Sequence, residues 1–468
     1  MDFGKQIIHS TFAHQYKRQV MIIDRRKYTT IEKDSSVALY HVESKTLIYY
    51  ESDELNSEYR IKDGTKEIGP SAFYMAANLT KVILPASIEH ISSSAFYECR
   101  NLKTVVLNEG LVNIDNYAFK YCDSLEKVEI PASVSQLGFG VFNGCNKLKK
   151  VLIHSENKYF QAANKFIYSK DESLIITYLH SQKRNKITVP EGTIEIGQSA
   201  FCDCDSLEEI ILPKSIRIIH KRAFENCYNL KQINLPEGLE IIEDSAFHGT
   251  ALQSIHIPAT AHKIGNEVFA YCSSLERITV SSNNRLYQSL KGILISKTNR
   301  LIGYPSGTNN SAYQIPDCIN SIANGAFTGT QKLQKITFNN RIKNIPDFCF
   351  SGCSDLKEVV LTPKLKKIGK CAFEYCVEIV SVTLPDQLEV IDDSAFFFCN
   401  KLNSLNIPSK LKKLGENALF ETNNINFTIN SQHPIFKIID GDIYEKRIDA
   451  YEKNLSSNYK PDNESNPF

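Results

Sequence analysis

The chain has 468 residues, with 54 Lys and Arg against 53 Asp and Glu, which gives a formal net charge of +1. An apolar fraction of 42% is enough to bury a core and excludes a disordered chain. The balanced charge provides no long-range field for nucleic acid, so we predict no nucleic-acid partner. The apolar runs are too short to cross a bilayer, and no transmembrane segment is predicted.

The amino-terminal residues 1–30 are predicted to form a separate segment or cap. They contain no apolar stretch of the kind that signal peptides carry, so we expect no ordinary signal peptide. The next residues, Val37 to Tyr40 and Leu47 to Tyr50, have the apolar pattern of a hairpin.

From residue 61 onward the chain repeats about every 23 residues, and the marker of each repeat is a phenylalanine, usually preceded by alanine. Leu419 takes this position in the last repeat. The alternating apolar pattern before each marker predicts two short strands, and the Ala-Phe segment predicts a single helical turn. The predicted core column is Phe73, Phe96, Phe119, Phe142, Phe201, Phe224, Phe247, Phe269, Phe327, Phe350, Phe373 and Phe396.

One such coil is too small to bury its own apolar residues, whereas stacked coils form a continuous core with parallel strands about 4.8 Å apart. Regular coils are predicted at 61–153, 187–280 and 313–430. Longer, hairpin-bearing variant coils are predicted at 154–186, 281–312 and 431–444, where aromatic residues (Phe160, Tyr287, Phe436) each precede another strand residue by eight. Residues 445–468 read as a polar tail.

The repeat, seen in full from Val82-x-Leu84-Pro85 to Ala95-Phe96-x-x-Cys99, resembles the BspA-like leucine-rich repeats, and the variant element from Asn284 to Pro316 resembles a variant coil of that family. The resemblance covers residues 31–444. It implies a right-handed α/β solenoid of short parallel strands and short helical turns. Family members are described as surface or secreted adhesins that bind proteins and are not enzymes. The chain lacks the asparagine ladder of the commoner leucine-rich repeat.

Nine of the 13 cysteines lie three residues after a repeat phenylalanine, and small residues such as Ala76 and Thr250 replace them elsewhere. This pattern predicts a column of small, buried, unpaired thiols. Zinc at Cys202 and Cys204, or disulfides between neighbouring coils, are the alternatives. The predicted thiol column is Cys99, Cys122, Cys145, Cys204, Cys227, Cys272, Cys353, Cys376 and Cys399.

Motifs for nucleophilic catalysis, phosphate binding or zinc proteolysis are not found, so we predict no catalytic site, no cofactor and no metal site. Glycines four residues before a repeat phenylalanine, such as Gly138, are expected to supply turns with positive φ.

Charged residues recur at outward positions of the predicted strands, and a row of like charge can bind a partner, although a solvated face has the same appearance. The candidate partner-binding residues are Lys81, Lys103, Lys127, Lys149, Lys150, Glu208 and Glu209. The chain ends in Asn466-Pro467-Phe468, which resembles the ligand of EH-domain adaptors; a plain disordered end is the alternative.

The sequence therefore predicts a non-enzymatic scaffold that binds proteins through an extended, strand-lined surface. A cell-surface or secreted adhesin is the second hypothesis, and an enzyme with an unrecognised site is the third. Many unpaired cysteines and the expected lack of a signal peptide favour the cytoplasm, whereas the family resemblance favours the cell surface.

Overall fold

The computed structural model describes residues 31–34, 38–51, 57–180, 184–422, 425–439, 442–446 and 453–454. These residues belong to two compact units, and the boundary falls within the variant coil 154–186. The amino-terminal unit comprises the described residues of Met1–Lys165 and Leu179–Ser181, and the carboxy-terminal unit those of Phe166–Tyr178 and Gln182–Phe468.

The strands described in the amino-terminal unit are β1 (Ile31–Asp34), β2 (Ala38–His41), β3 (Thr46–Tyr50), β4 (Glu58–Arg60), β5 (Glu67–Ile68), β6 (Lys81–Ile83), β7 (His90–Ile91), β8 (Thr104–Val106), β9 (Asn113–Ile114), β10 (Lys127–Ile130), β11 (Gln136–Leu137), β12 (Lys150–Ile153) and β13 (Phe160–Ala163).

The strands described in the carboxy-terminal unit begin with β14 (Phe166–Ser169), β15 (Leu174–Tyr178), β16 (Lys186–Thr188), β17 (Glu195–Ile196), β18 (Glu209–Ile211), β19 (Ile218–Ile219), β20 (Gln232–Ile233), β21 (Ile241–Ile242), β22 (Ser254–Ile257), β23 (Lys263–Ile264) and β24 (Arg277–Val280). They continue with β25 (Tyr287–Leu290), β26 (Ile293–Ser296), β27 (Arg300–Gly303), β28 (Ala312–Gln314), β29 (Ser321–Ile322), β30 (Lys335–Thr337), β31 (Asn344–Ile345), β32 (Glu358–Val360), β33 (Lys367–Ile368), β34 (Val390–Ile391), β35 (Ser404–Ile407), β36 (Lys413–Leu414), β37 (Asn426–Ile429), β38 (Phe436–Ile439), β39 (Asp442–Glu445) and β40 (Lys453–Asn454).

The regular coils contribute strands to two parallel rows, except that the coil around Ser381 adds only an isolated bridge to the first row. The hydrogen bonding along the rows is interrupted, for example between β8 and β10 and between β29 and β31. The first row holds three- and four-residue strands such as β6 and β8, in which Val82 pairs with Val105. The second row holds two-residue strands such as β7 and β9, in which Ile91 pairs with Ile114. Partners are 23 residues apart, so the predicted solenoid of short parallel strands is confirmed, with one exception in its turns described below.

The variant coils carry antiparallel strands, as predicted. In the carboxy-terminal unit, β14 pairs with β15, and β25 pairs with β26, which pairs with β27. The strands β38 and β39 form a third antiparallel pair. In the amino-terminal unit, β2 pairs with both β1 and β3.

The predicted helical turn at the Ala-Phe segment is wrong, because the described residues form no helix. Tyr97 N–H donates locally to the Ser94 carbonyl at 3.0 Å, but the neighbouring Phe96 and Glu98 N–H groups donate to the next coil at 2.8 and 2.9 Å. Ser94 and Glu98 accordingly adopt φ values of 58° and 57°. Alternate N–H groups are used between coils, so a continuous i to i−4 ladder cannot form.

The expectation of positive φ at the glycines before the repeat phenylalanine is also wrong. Gly138 does not adopt positive φ, and a Cβ added there would lie 2.4 Å from the backbone nitrogen of Asn116 in the preceding coil. Gly415 meets Asp393 nitrogen at 2.3 Å in the same way. Glycine at these positions therefore permits close contact between the backbones of neighbouring coils.

Candidate protein-binding surface

The first-row strands of the amino-terminal unit present their alternate side chains to solvent. Val82, Val105, Val128 and Val151 point into the core and are at most 5% exposed. The residues on either side of each valine, and the one before the strand, point outward. Because neighbouring strands lie about 4.8 Å apart, each outward repeat position forms a row of side chains.

The outward positions of β4, β6, β8, β10 and β12 form what we call the lysine face. Its residues are Ser57, Glu58, Arg60, Thr80, Lys81, Ile83, Lys103, Thr104, Val106, Glu126, Lys127, Glu129, Lys149, Lys150 and Leu152. The face holds cations at Arg60 and the five predicted lysines but carboxylates at only three positions, so it is positively charged in a chain that is almost neutral.

Two of the predicted lysines are neutralised by neighbours on the same face. Lys81 Nζ lies 3.2 Å from a Glu58 carboxylate oxygen, and Lys127 Nζ lies 2.5 Å from one of Glu129. The hydrogen bond from Lys127 lowers the pKa of Glu129, and the charges of Lys127 and Lys150 lower it further. Both pairs are largely exposed, so each contributes little to stability.

The remaining predicted lysines, Lys103, Lys149 and Lys150, are exposed and have no ion-pair partner within the described ranges. Val106 points outward from β8, the strand that Lys103 precedes, and is 52% exposed. Ile83 pairs with Val106 in register and is partly exposed. The face thus combines a net positive charge with an apolar patch, which is the composition of a protein-binding surface with an apolar centre and a polar rim.

The predicted acidic residues lie at equivalent positions in the carboxy-terminal unit, where their charges are compensated. Glu208 receives Lys231 Nζ at 3.4 Å, and Glu209 receives Lys186 Nζ at 2.8 Å. Outward positions of β16, β18, β20, β22 and β24 hold three cations and three carboxylates. The structure therefore brings the five lysines onto one face but gives Glu208 and Glu209 local partners of opposite charge.

All twelve phenylalanines of the predicted core column are buried, with exposures of 5% or less. Consecutive rings stack within a block, for example Phe96 on Phe119 at 5.1 Å with an interplanar angle of 4°. Burial of one such ring contributes roughly 1.5–3 kcal/mol. The column holds the coils in register and thereby positions the outward rows.

The nine cysteines of the predicted thiol column are also buried, and all 13 cysteines in the chain are free. In eight of the nine, all except Cys204, the thiol lies within hydrogen-bond distance of a backbone or side-chain oxygen of the preceding coil. Cys122 is an example, since its Sγ–H donates to the Phe96 carbonyl at 3.2 Å. Burial raises the pKa of Cys99 and of Cys353 to about 12, so these thiols stay protonated and unreactive near neutral pH.

Three tyrosines extend the phenylalanine column, and the sequence analysis did not identify them. Tyr178 stacks on Phe201 at 5.4 Å and Tyr304 on Phe327 at 4.9 Å, while Tyr50 packs against Phe73 at 4.9 Å with the rings tilted by 34°. Each lies 23 residues before its phenylalanine, so the repeat spacing alone contained the signal.

Sequence reasoning also missed a buried polar residue at the start of each variant coil. Asn157, Asn284 and His433 are at most 1% exposed. Asn284 Nδ2 donates to the Pro258 and Ala261 carbonyls at 2.9 Å, while its Oδ1 accepts the Tyr287 N–H at 2.8 Å. Such a residue fixes the variant coil to the last regular coil because every polar atom that it buries is paired.

In the part of the chain that the structure describes, no group of three or more His, Cys, Asp or Glu side chains could hold a metal ion. The same ranges contain no helix of the length and apolarity needed to cross a bilayer. The carboxy-terminal Asn466-Pro467-Phe468 lies outside the described residues, as does the predicted amino-terminal segment 1–30.

Comparison with known proteins identifies the family. The family model described as "BspA type Leucine rich repeat region (6 copies)" matches residues 48–174, 175–290 and 306–442. No curated protein matches the chain.

Among solved structures, a leucine-rich cell surface protein from Faecalibacterium prausnitzii is 23% identical, over 86% of this chain and 96% of that chain, with a TM-score of 0.47. The pneumococcal vaccine antigen PcpA is 20% identical, over 86% of this chain and 89% of that chain, with a TM-score of 0.40. With its 23-residue coils, its two parallel strand rows and a family match over most of its length, the chain belongs to the BspA-type leucine-rich repeat family.

Proposed function

We propose that this protein is a non-enzymatic scaffold that binds an acidic protein partner on the lysine face. The observation that carries the proposal is the set of exposed lysines without an ion pair, Lys103, Lys149 and Lys150, on the same face as the exposed Val106. The equivalent face of the carboxy-terminal unit has balanced charge and serves as an internal comparison.

Two physical effects favour an acidic partner. First, unpaired lysines attract carboxylates without breaking an existing ion pair, so association gains in rate and specificity. Second, an exposed valine beside them supplies apolar area that a partner can bury, while the long aliphatic stems of the lysines cover its edge. The lysine face carries no aromatic residue on which a nucleic-acid base could stack, which favours a protein over a single-stranded nucleic acid.

The proposal is tested by affinity capture from the native cell with the triple variant Lys103→Glu, Lys149→Glu and Lys150→Glu. A matched control makes the same charge change at Lys214, Lys263 and Lys297, which are exposed in the carboxy-terminal unit. We expect the first variant to lose a specific acidic protein that the wild type and the control retain. Equal capture by both variants would exclude the lysine face as the binding surface.

Salt dependence provides a second measurement once a partner is purified. Exposed charges are screened over about 8 Å at physiological ionic strength, so affinity should fall as salt is added. The dependence should be weaker in the triple glutamate variant than in the control. An affinity that is insensitive to salt in the wild type would contradict a charge-based interface.

We further propose a reducing compartment as the site of action, supported by 13 free cysteines. Display at the cell surface as an adhesin is the alternative that family membership supports. Antibody labelling of intact cells separates the two, since surface label without permeabilisation would contradict the intracellular proposal.

A further inference from the structure

Every second-row strand presents backbone groups to the following coil. In the amino-terminal unit, the Val112 carbonyl accepts the Ser135 and Gln136 N–H groups at 2.9 and 3.2 Å, and the Ile114 carbonyl accepts the Gly138 N–H at 2.8 Å. A strand that is last in its row leaves the same groups without a neighbouring strand.

Three strands end a second row directly ahead of a variant coil, namely β11, β23 and β36. β29 also ends a sheet, but the regular coil that carries β31 follows it. In each case an aromatic residue of the variant coil follows 22 or 23 residues later, where a regular coil would place its next buried strand residue. Phe160 follows β11, Tyr287 follows β23, and Phe436 follows β36.

At β23 the tyrosine hydroxyl takes the place of the missing strand. Tyr287 Oη accepts the Ile264 N–H at 3.1 Å and donates to the His262 carbonyl at 3.5 Å. This edge is therefore closed by a side chain of the same protein.

At β11 the aromatic residue is Phe160, which has no hydroxyl. An open cleft of about 350 Å³ lies at this edge and is lined by Leu137 and Phe160, together with Asp115, Ser135 and Gln136. Among the described residues, the Leu137 N–H has no hydrogen-bond partner. The Leu137 N–H and the Ser135 carbonyl correspond to the Ile264 N–H and the His262 carbonyl, which Tyr287 binds at β23.

The edge of β36 repeats this arrangement in the carboxy-terminal unit. Phe436 replaces the tyrosine, and a cleft of about 360 Å³ is lined by Lys412, Leu414, Gly415 and Glu445. The Leu414 N–H likewise lacks a partner within the described ranges. Both volumes lie at the low end of the range of about 300–1,000 Å³ that is typical of ligand sites.

The buried residue at the start of each variant coil anchors the backbone of the aromatic residue that follows it. Asn157 Nδ2 donates to the Val134 carbonyl at 2.8 Å, and its Oδ1 accepts the Phe160 N–H at 2.9 Å. His433 has the same role beside the second cleft, where its Nδ1 accepts the Phe436 N–H at 3.1 Å. The backbone of the aromatic residue is therefore fixed to the coil that carries the strand edge.

We propose that the clefts at β11 and β36 each bind an extended peptide segment of a protein partner by strand addition. The peptide carbonyl accepts the Leu137 N–H, and its N–H groups donate to the Ser135 and Leu137 carbonyls, as a further coil would. At β36, the Leu414 N–H donates to the peptide, and the Lys412 and Leu414 carbonyls accept its N–H groups. Strand addition suits these sites because main-chain hydrogen bonds provide the affinity. The inference does not depend on the lysine face.

The test uses a fluorescein-labelled peptide of residues 108–116, because the strand within this segment, β9, pairs with the preceding second-row strand in the same way. Fluorescence polarisation should show saturable binding to the full-length protein. The double variant Phe160→Tyr and Phe436→Tyr places a hydroxyl at each edge, as Tyr287 does, and should weaken binding at least about tenfold. The variant Tyr287→Phe opens the third edge and should add a binding site.

A second peptide, N-methylated at Val112 and Asp115, provides the matched control. In the stack these two N–H groups donate to the preceding coil, each at 2.8 Å, so methylation removes strand pairing without altering a side chain. Failure of the methylated peptide to bind supports strand addition.

Three results would overturn the inference: no saturable binding, equal binding of the methylated peptide, or equal binding by the double tyrosine variant with an unchanged circular dichroism spectrum. Light scattering tests a fourth contrary result. If the wild type is a dimer and the double tyrosine variant is a monomer, the clefts bind a second copy of this chain and not a partner peptide. The glutamate variant of the lysine face should keep its peptide affinity, so a failure of either proposal is recognised separately.

Discussion

Replacing Phe119 by alanine removes a fully buried ring from the middle of a stack in the amino-terminal unit. The ring stacks on Phe96 at 5.1 Å and on Phe142 at 5.8 Å, with interplanar angles of 4° and 12°. A phenylalanine-to-alanine change in a core costs about 3–5 kcal/mol, and two aromatic contacts place this site in the upper part of that range. Urea unfolding followed by far-UV circular dichroism should show a clear fall in the midpoint.

Two variants calibrate this measurement. Phe119→Leu introduces the residue found at the equivalent position of Leu419 and should cost less than about 1.5 kcal/mol. Tyr159→Ala removes a ring that is 51% exposed and should change stability by less than about 0.5 kcal/mol. If Phe119→Ala shifts the midpoint no further than Tyr159→Ala, the phenylalanine column is not a main stabilising element.

Three further predictions concern thiols, coil contacts and acid stability. In the folded protein a thiol reagent should modify the exposed Cys318 first, because burial raises the pKa of thiols such as Cys99 to about 12. In denaturant without reductant, all 13 cysteines should react, and a smaller number would indicate disulfides. Gly138→Ala should lower the free energy of unfolding in urea by about 1–3 kcal/mol, because the added Cβ would meet backbone atoms of the preceding coil. Gly303→Ala, whose Cβ would have its nearest atom at 3.5 Å, should not lower it, and equal effects would contradict the close-contact explanation. Hydrogen bonds from two lysines lower the pKa of Asp392 to about 2, so the stability that this carboxylate adds to the fold is complete above about pH 4 and is lost as the pH falls toward 2. The difference in unfolding free energy between the wild type and Asp392→Asn should therefore shrink over this range. A difference that stays constant with pH would refute the role given to Asp392.

The phenylalanine spacing was sufficient to predict coils, parallel strands and hairpin-bearing variants. A residue such as Phe96 can be buried only if a copy of its coil lies on either side, so a strict spacing implies stacking. The tyrosines that extend the column were missed because each lies in a coil whose local pattern differs from the regular one. Tyr50, Tyr178 and Tyr304 are recognisable only by counting 23 residues back from Phe73, Phe201 and Phe327.

The candidate surface was predictable in part. The sequence placed five lysines at outward strand positions, but it did not show that Lys81 and Lys127 have carboxylate partners while Lys103, Lys149 and Lys150 do not. Pairing depends on which side chains the strand register brings together. Glu208 illustrates the same point, because its partner Lys231 lies in the next coil.

The sequence by itself determined the period, the buried positions and the outward rows, because burial of a repeated side chain depends mainly on its place in the repeat. Only the tertiary structure decided how the backbone groups are paired. Phe96 N–H bonds to the next coil and so prevents a helix, Ile264 N–H bonds to a tyrosine hydroxyl, and Leu137 N–H faces an open cleft. These three outcomes differ because the partner of a backbone group in a solenoid belongs to a neighbouring coil, whose presence and geometry the local pattern does not specify.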